Sequence, residues 1–229
     1  MKSTRDILAG FRPPKFDDAC TRCGAAISRP GLCPACADVQ HALRDAVLAT
    51  RLSIPERFAW ASALNVSELL ERVDAGALEQ IRTLDLKRLD RVTLFGPAAS
   101  GKSSLAVALA NTWTSVNARA SVFVAAAGLG VARQQHGLGE GEAALVRQAT
   151  GAELAILDDL GVEPEVGAPV LAHVLHHRYD SARPTIVTTG LTVEQIAKRY
   201  GAGVARRLVE TAGGAVVLKL SGRRDRGPR

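Results

Sequence analysis

The chain has 229 residues, 47% of them hydrophobic and 23% charged. That is enough for one α/β core and a small extra module, and it is ordinary for a folded soluble protein. No apolar run is long enough to cross a bilayer, and Met1–Pro14 carries charges without a continuous apolar segment, so a secretion signal is not expected and the cytoplasm is the expected location. The formal charge of +6 is concentrated at the ends. Lys2, Arg5, Arg12 and Lys15 face only Asp6, while Lys219, Arg223, Arg224, Arg226 and Arg229 face only Asp225. Basic ends of this kind either bind nucleic-acid phosphate without sequence preference or stay solvated; both readings fit.

In chain order, residues 1–19 read as a flexible leader, because Gly10, Pro13 and Pro14 break helix. All four cysteines follow, as Cys20-Thr21-Arg22-Cys23 and Cys33-Pro34-Ala35-Cys36. Two C-x-x-C turns so close together suit a tetrahedral zinc site with four thiolate ligands. Gly24 and Gly31 ease the turns, and a hairpin can span the gap between them. A redox pair is the alternative, but no βαβ pattern surrounds these residues. Cys20, Cys23, Cys33 and Cys36 are therefore expected to hold a structural Zn2+ over residues 20–36, with DNA or a partner protein as its target. Residues 37–90 read as a helical linker: a helix over 37–52, a new helix start at Ser53-Ile54-Pro55-Glu56, and an apolar stripe of Val66, Leu69, Leu70, Val73, Ala77, Leu78, Ile81 and Leu84. Residues 85–90 form a polar link.

Residues 91–220 carry the pattern of a nucleotide-binding core. Arg91–Phe95 is a β-prone apolar run. It leads into Gly96-Pro97-Ala98-Ala99-Ser100-Gly101-Lys102-Ser103, which matches G-x-x-x-x-G-K-[ST] at every fixed position. A helical spacing follows from Ser104 to Val116. Strand, glycine-rich loop and helix together make a phosphate cradle: backbone N–H groups turn inward, and the helix start adds more donors and a partial positive charge. Lys102 supplies a point charge to the outer phosphates of ATP, and Ser103 ligates Mg2+. Strands are predicted over 120–126, 153–161, 184–190 and 215–220. Helices are predicted over 142–150, 170–179, 193–200 and 204–210, and residues 128–141 as a loop or short broken helix. The alternation implies a parallel five-stranded sheet between helices, a P-loop NTPase fold. Ligands bind beyond the carboxyl ends of such strands. Asp158 and Asp159 close one strand there, Asp158 as a partner for magnesium through its water shell and Asp159 as the base that orients the attacking water. Residues 221–229 read as a basic disordered tail.

Taken together, these residues resemble the AAA+ ATPases of the DnaC-type helicase loaders and their relatives, the IstB-type transposition ATPases. The likeness rests on Ile54-Pro55-Glu56-Arg57-Phe58, the phosphate loop, Ile156-Leu157-Asp158-Asp159-Leu160-Gly161, Arg178-Tyr179, Arg183–Thr189, Tyr200-Gly201 and Arg207-Leu208. It spans roughly residues 53–220 and leaves the cysteines outside. The resemblance implies ATP held at subunit boundaries and slow hydrolysis. It implies self-association through the ATP site and assembly on DNA, with non-specific single-stranded contacts and a replicative helicase or a transposase as partner. It also implies that Arg207, or the adjacent Arg206, enters the neighbouring subunit's site, that Arg178 faces the same boundary, and that Thr188 and Thr189 are the polar sensor. The chain departs from relatives at Gly190, where they commonly carry Asn, and at Asp159, where some loaders carry Glu. His173 and His177 share a helix face with no acidic third ligand evident. Trp60 and Trp113 fall on helical apolar faces and are expected in the core.

Overall fold

The computed structural model describes residues 18–64, 67–137, 139–212 and 214–221. The predicted leader and basic tail lie almost wholly outside them, as does Val66. Packing divides the chain after Ala42. The first unit holds a two-residue antiparallel ladder, β1 (Asp18–Ala19) against β2 (Ala26–Ile27), and the start of helix α1 (Pro34–Ser53). The helix begins inside the second C-x-x-C turn, three residues earlier than predicted.

The second unit is a parallel sheet in the order β4-β5-β6-β3-β7. Its strands are β3 (Arg91–Phe95), β4 (Ser121–Ala125), β5 (Leu154–Leu160), β6 (Thr185–Thr189) and β7 (Val216–Lys219). Every β3 residue is buried, as expected for a strand covered on both faces. Successive side chains go to opposite faces. Val92, Leu94, Ile156 and Ile186 join a core with α2 (Ser67–Arg72), α3 (Ala75–Arg82) and α4 (Lys102–Asn117). Phe95, Leu157 and Val187 join a second core with α5 (Ala126–Gln135), α6 (Ala144–Gly151), α7 (Ala168–Asp180), α8 (Val193–Tyr200) and α9 (Ala202–Val209). Among the described residues no helix is long and apolar enough to cross a membrane.

Four local expectations need correction. Ser53 does not start a helix; it ends α1, and only a short 3-10 turn, Glu56–Phe58, follows. Its hydroxyl accepts from Phe123 N at 3.1 Å, while Thr50 Oγ1 accepts from Ser121 N at 2.8 Å. Both donors belong to the edge strand β4, whose outward N–H groups need partners. The stripe over 66–84 is two helices, because the Asp74 carboxylate caps α3 by accepting from Ala77 N at 3.0 Å; Leu70, predicted inside, is 49% exposed. Residues 126–135 form a regular helix despite Gly128 and Gly130. A Cβ on Gly130 would stand 3.2 Å from the Gly167 Cα, so this glycine serves close approach between backbones and not a turn. Trp60 lies in the irregular stretch after the 3-10 turn and packs partly buried against the core, with the Arg72 guanidinium 4.7 Å from its ring centroid. Trp113 is in the core as expected.

Candidate functional site

The strand order places β3 between β6 and β7, while the chain after α4 crosses to the far strand β4. The phosphate loop therefore opens beside the carboxyl ends of β6 and β5, the crevice where such sheets take ligands. Gly96 leaves β3 donating its N–H to Thr189 O at 3.2 Å. A Cβ there would stand 2.6 Å from Leu220 O, and one on Gly101 would stand 2.8 Å from Val73 Cγ2. Gly101 has φ +85° and precedes α4 without any side-chain cap, so the first-turn N–H groups are left to a ligand. Ala99 also takes a left-handed conformation, φ +59°.

Phe58, Arg72, Ala98, Ala99, Ser100, Gly101, Lys102, Ser103, Ser104 and Asp159 line one cavity of about 390 Å3. Lys102 is 6% exposed and donates from Nζ to Gly96 O at 2.8 Å and Pro97 O at 2.7 Å. Burial lowers its ammonium pKa, and the negative charges of Asp159 and Asp158 oppose that. Asp158 is 2% exposed. Burial raises its carboxyl pKa; hydrogen bonds from Thr188 and Ser103 pull the other way, as does Arg57, while Asp159 adds to the rise. The Thr188 hydroxyl donates to Asp158 Oδ1 at 2.7 Å and accepts from Asp159 N at 2.9 Å. Asp159 itself has φ +57° and sits at a bulge, where β5 uses one residue more than β6 between Leu157 and Leu160. The bulge turns both acids toward the loop instead of to opposite faces. Ser103, Asp158 and Thr188 thus form a hydroxyl–carboxylate set suited to a hydrated divalent cation.

Of the two threonines only Thr188 reaches the acids. Thr189, expected to act catalytically, donates to Leu160 O at 2.8 Å and accepts from Leu191 N at 3.0 Å, so its hydroxyl is committed to the backbone turn. A Cβ on Gly190 would meet only Gly96 O, at 3.7 Å; space for a side chain exists there. Arg178 also departs from its expected place. It is 1% exposed, and its guanidinium donates to Ala149 O at 2.8 Å, Ala152 O at 2.9 Å and Thr185 Oγ1 at 2.9 Å. Burial lowers its pKa to about 10. It staples α6, α7 and the start of β6, the sheet edge opposite the phosphate loop. Arg207 lies at that same edge, with its guanidinium 4.4 Å from the Tyr179 ring centroid and Nη2 3.5 Å from Asp180 Oδ1; Arg206 is exposed.

Sequence reasoning missed Glu163, which is 2% exposed. Its carboxylate accepts from Gly161 N at 3.0 Å, Arg199 Nε at 2.8 Å and the Tyr200 hydroxyl. The bond ties the end of the acid strand to α8. Nothing in its spacing marks it, because its partners lie 36 and 37 residues away. His173 does have an acidic neighbour, Glu142 Oε1 at 3.3 Å from Nε2, but this pair is half-exposed and neither residue lines the loop's cavity.

In the first unit the four cysteine sulfurs lie within 4.8 Å of one another. Cys23 Sγ and Cys33 Sγ are 3.7 Å apart, against about 3.8 Å for the edge of a tetrahedron of sulfurs around zinc. Backbone N–H donors, Cys33 N first, lower the Cys20 thiol to about 6, while hydrogen bonding to Cys23 and Cys33 raises Cys36 to about 12. Four sulfurs this close could hold one metal ion, since thiolates bind a cation where thiols hold protons.

The model of the IstB-like ATP binding protein family matches residues 61–207. No significant match is found among curated proteins. Among solved structures, the chain is similar to the DnaC helicase loader (20% identity, TM-score 0.59, spanning 72% of this chain and 99% of that one). It is also similar to DnaI (22%, 0.51, spanning 73% and 94%). A third is the replication initiator DnaA bound to AMPPCP and single-stranded DNA (17%, 0.50, spanning 64% and 46%). At these identities the likeness is one of fold. The family match covers well over half of the chain and contains the phosphate loop, both acids and the threonine that joins them: the chain belongs to the IstB-like ATP binding protein family.

Proposed function

We propose that this protein is an ATP-hydrolysing assembly switch of DNA replication, acting on a replicative helicase at single-stranded DNA. The observation that carries the reading is the pairing of a buried Lys102, bonded to two loop carbonyls, with the Asp158–Thr188–Asp159 arrangement, of which Asp159 lines the same cavity. A triphosphate would take Lys102 from those carbonyls. Ser103 and Asp158 would hold magnesium, which supplies charge neutralisation on the transferring phosphoryl group. Asp159 would orient water, and Thr188 would report the state of the site through Asp158. Arg207 or Arg206 would complete the site of a neighbouring copy. Cys20, Cys23, Cys33 and Cys36 would hold zinc and so fold residues 20–36, which have little core of their own; metal analysis should find one ion per chain.

Lys102→Ala is expected to abolish ATP binding, and Asp159→Asn to keep binding while stopping hydrolysis. Hydrolysis unchanged in Asp159→Asn would remove Asp159 from the role of base; a parent that binds ATP without hydrolysing it, with or without DNA, would leave a nucleotide-dependent scaffold and overturn the switch. A second reading, a transposition helper that recruits a transposase to DNA, is favoured by the family match itself. Co-purification with replicative helicase in the presence of ATP supports the loader; retention of a transposase instead supports the helper.

A further inference from the structure

The fixed charges of the nucleotide cavity do not suit its proposed ligand. Lys102 is one cation against Asp158 and Asp159, and a magnesium nucleotide is still an anion. Backbone N–H groups of the loop offset part of this, but a site that grips a triphosphate needs further positive charge. Two arginines of the segment that precedes the sheet are candidates: Arg72 lines the cavity, and Arg57 stacks on a ring that lines it. Arg72 lines it directly, at the end of α2, where its carbonyl and Val73 press against Gly101. Arg57 precedes Phe58, which lines the same cavity. Each guanidinium lies over an aromatic ring, 4.7 Å from the Phe58 centroid for Arg57 and 4.7 Å from the Trp60 centroid for Arg72. Phe58 is in turn held against Phe123 of β4, at 5.9 Å between centroids. Both side chains are exposed, and among the described residues neither makes a hydrogen bond or an ion pair.

Exposed arginines commonly wander. These two are braced by cation–π contact, so less side-chain entropy is lost when they close on a ligand. We propose that Arg57 and Arg72 are ligands of the triphosphate bound in their own chain, Arg72 on the loop side and Arg57 on the side of Asp158 and Asp159. The packing of Phe58 on Phe123 agrees with that placement, because β4 pairs with β5, the strand that carries both acids. The segment between α1 and the sheet then senses which nucleotide is present. The γ-phosphate lies toward the acids, so Arg57 distinguishes ATP from ADP and Arg72 does not.

The inference rests on reading this cavity as an ATP site, and the two can fail separately. Calorimetric titration of the full chain with ATP and with ADP, each with magnesium, is the test. Arg57→Gln is expected to weaken ATP about tenfold and ADP less than about threefold, and Arg72→Gln to weaken both about tenfold. Arg57→Lys should recover part of the ATP affinity, and melting temperatures should match the parent because both side chains are exposed. If the parent binds neither nucleotide, the ATP reading falls and the inference with it. If the parent binds, Lys102→Ala does not, and both glutamine variants bind like the parent, the ATP reading stands and the inference is overturned. Equal weakening of ATP and ADP by Arg57→Gln overturns its assignment to the acid side.

Discussion

Asp158 shows most directly what the proposed nucleotide site costs a single residue. Its carboxylate is nearly sealed from water, and burial raises its pKa despite the Thr188 and Ser103 hydrogen bonds. A carboxyl whose folded-state value lies above its unfolded one binds protons on folding. Its penalty is absent below the unfolded value, grows as pH rises from that value through the raised folded one, and is complete above both. Asn at this position keeps the shape and still accepts from Thr188. Asp158→Asn should therefore raise the melting temperature of the nucleotide-free protein at neutral pH, with an advantage that shrinks on acidification toward the ordinary carboxylate range. Magnesium-dependent nucleotide binding should weaken in the same variant. Calorimetric melts at neutral and acid pH decide it: an advantage that grows in acid would contradict the stated sign. Arg178 is the opposite case. Pattern places it with the functional arginines, yet its guanidinium is spent on backbone carbonyls and on Thr185.

Helix α5 separates the two uses of glycine within one element. A Cβ on Gly128 would meet Leu145 Cδ2 at 3.5 Å, an ordinary contact, whereas one on Gly130 would crowd Gly167 Cα at 3.2 Å. Replacing a helix-interior glycine by alanine gains about 1 kcal/mol, and overpacking costs about 1–3 kcal/mol. Gly128→Ala should raise the melting temperature by about 2–4 °C, and Gly130→Ala should leave it unchanged or lower it by up to about 8 °C. Equal stabilisation by both would mean that α5 and the turn before α7 do not approach as described. The same helix explains what was legible in the sequence. Strand β3, the phosphate loop and α8 follow from local signals, namely apolar runs, fixed glycines and helical period, and they appear where those signals put them. Residues 126–135 do not, because the reason for Gly130 lies 37 residues away in Gly167. Ser53 looks like a cap because a serine before Pro and Glu is a local sign, but its hydroxyl serves the edge of β4. At the site, the acids and Lys102 were legible. The choice between Thr188 and Thr189 was not, since both side chains are fully buried and only the bulge after Leu157 decides which one meets an acid.

Over the whole molecule, the two arginines of α9 stand on the far side of the sheet from the cavity they are proposed to serve. Arg207 lines a small cavity with Asp90, Arg91 and Thr185, residues at the entry ends of β3 and β6. The phosphate loop leaves the exit end of β3 beside Thr189. Four residues of strand separate those ends, about 13 Å, and an arginine side chain cannot span that distance through the sheet. If either arginine contributes to hydrolysis, it does so in another copy's site. Arg207 leans on Tyr179 and leaves Nε and Nη1 buried without a partner among the described residues, while Arg206 is exposed. Arg207→Ala should therefore keep nucleotide affinity within about twofold while hydrolysis falls about 1,000-fold, the range seen when such an arginine is supplied or withheld. Lys102→Ala should be inactive for the separate reason that its own cavity cannot hold the triphosphate. Mixing the two inactive proteins places intact Arg207 from one beside an intact phosphate loop from the other at some boundaries. ATP hydrolysis should reappear in the mixture and rise with total protein concentration, because the competent site exists only between chains. A mixture as inactive as its parts, under conditions where the parent assembles and hydrolyses ATP, would remove Arg207 from the site; the same mixing with Arg206→Ala then tests the neighbouring side chain.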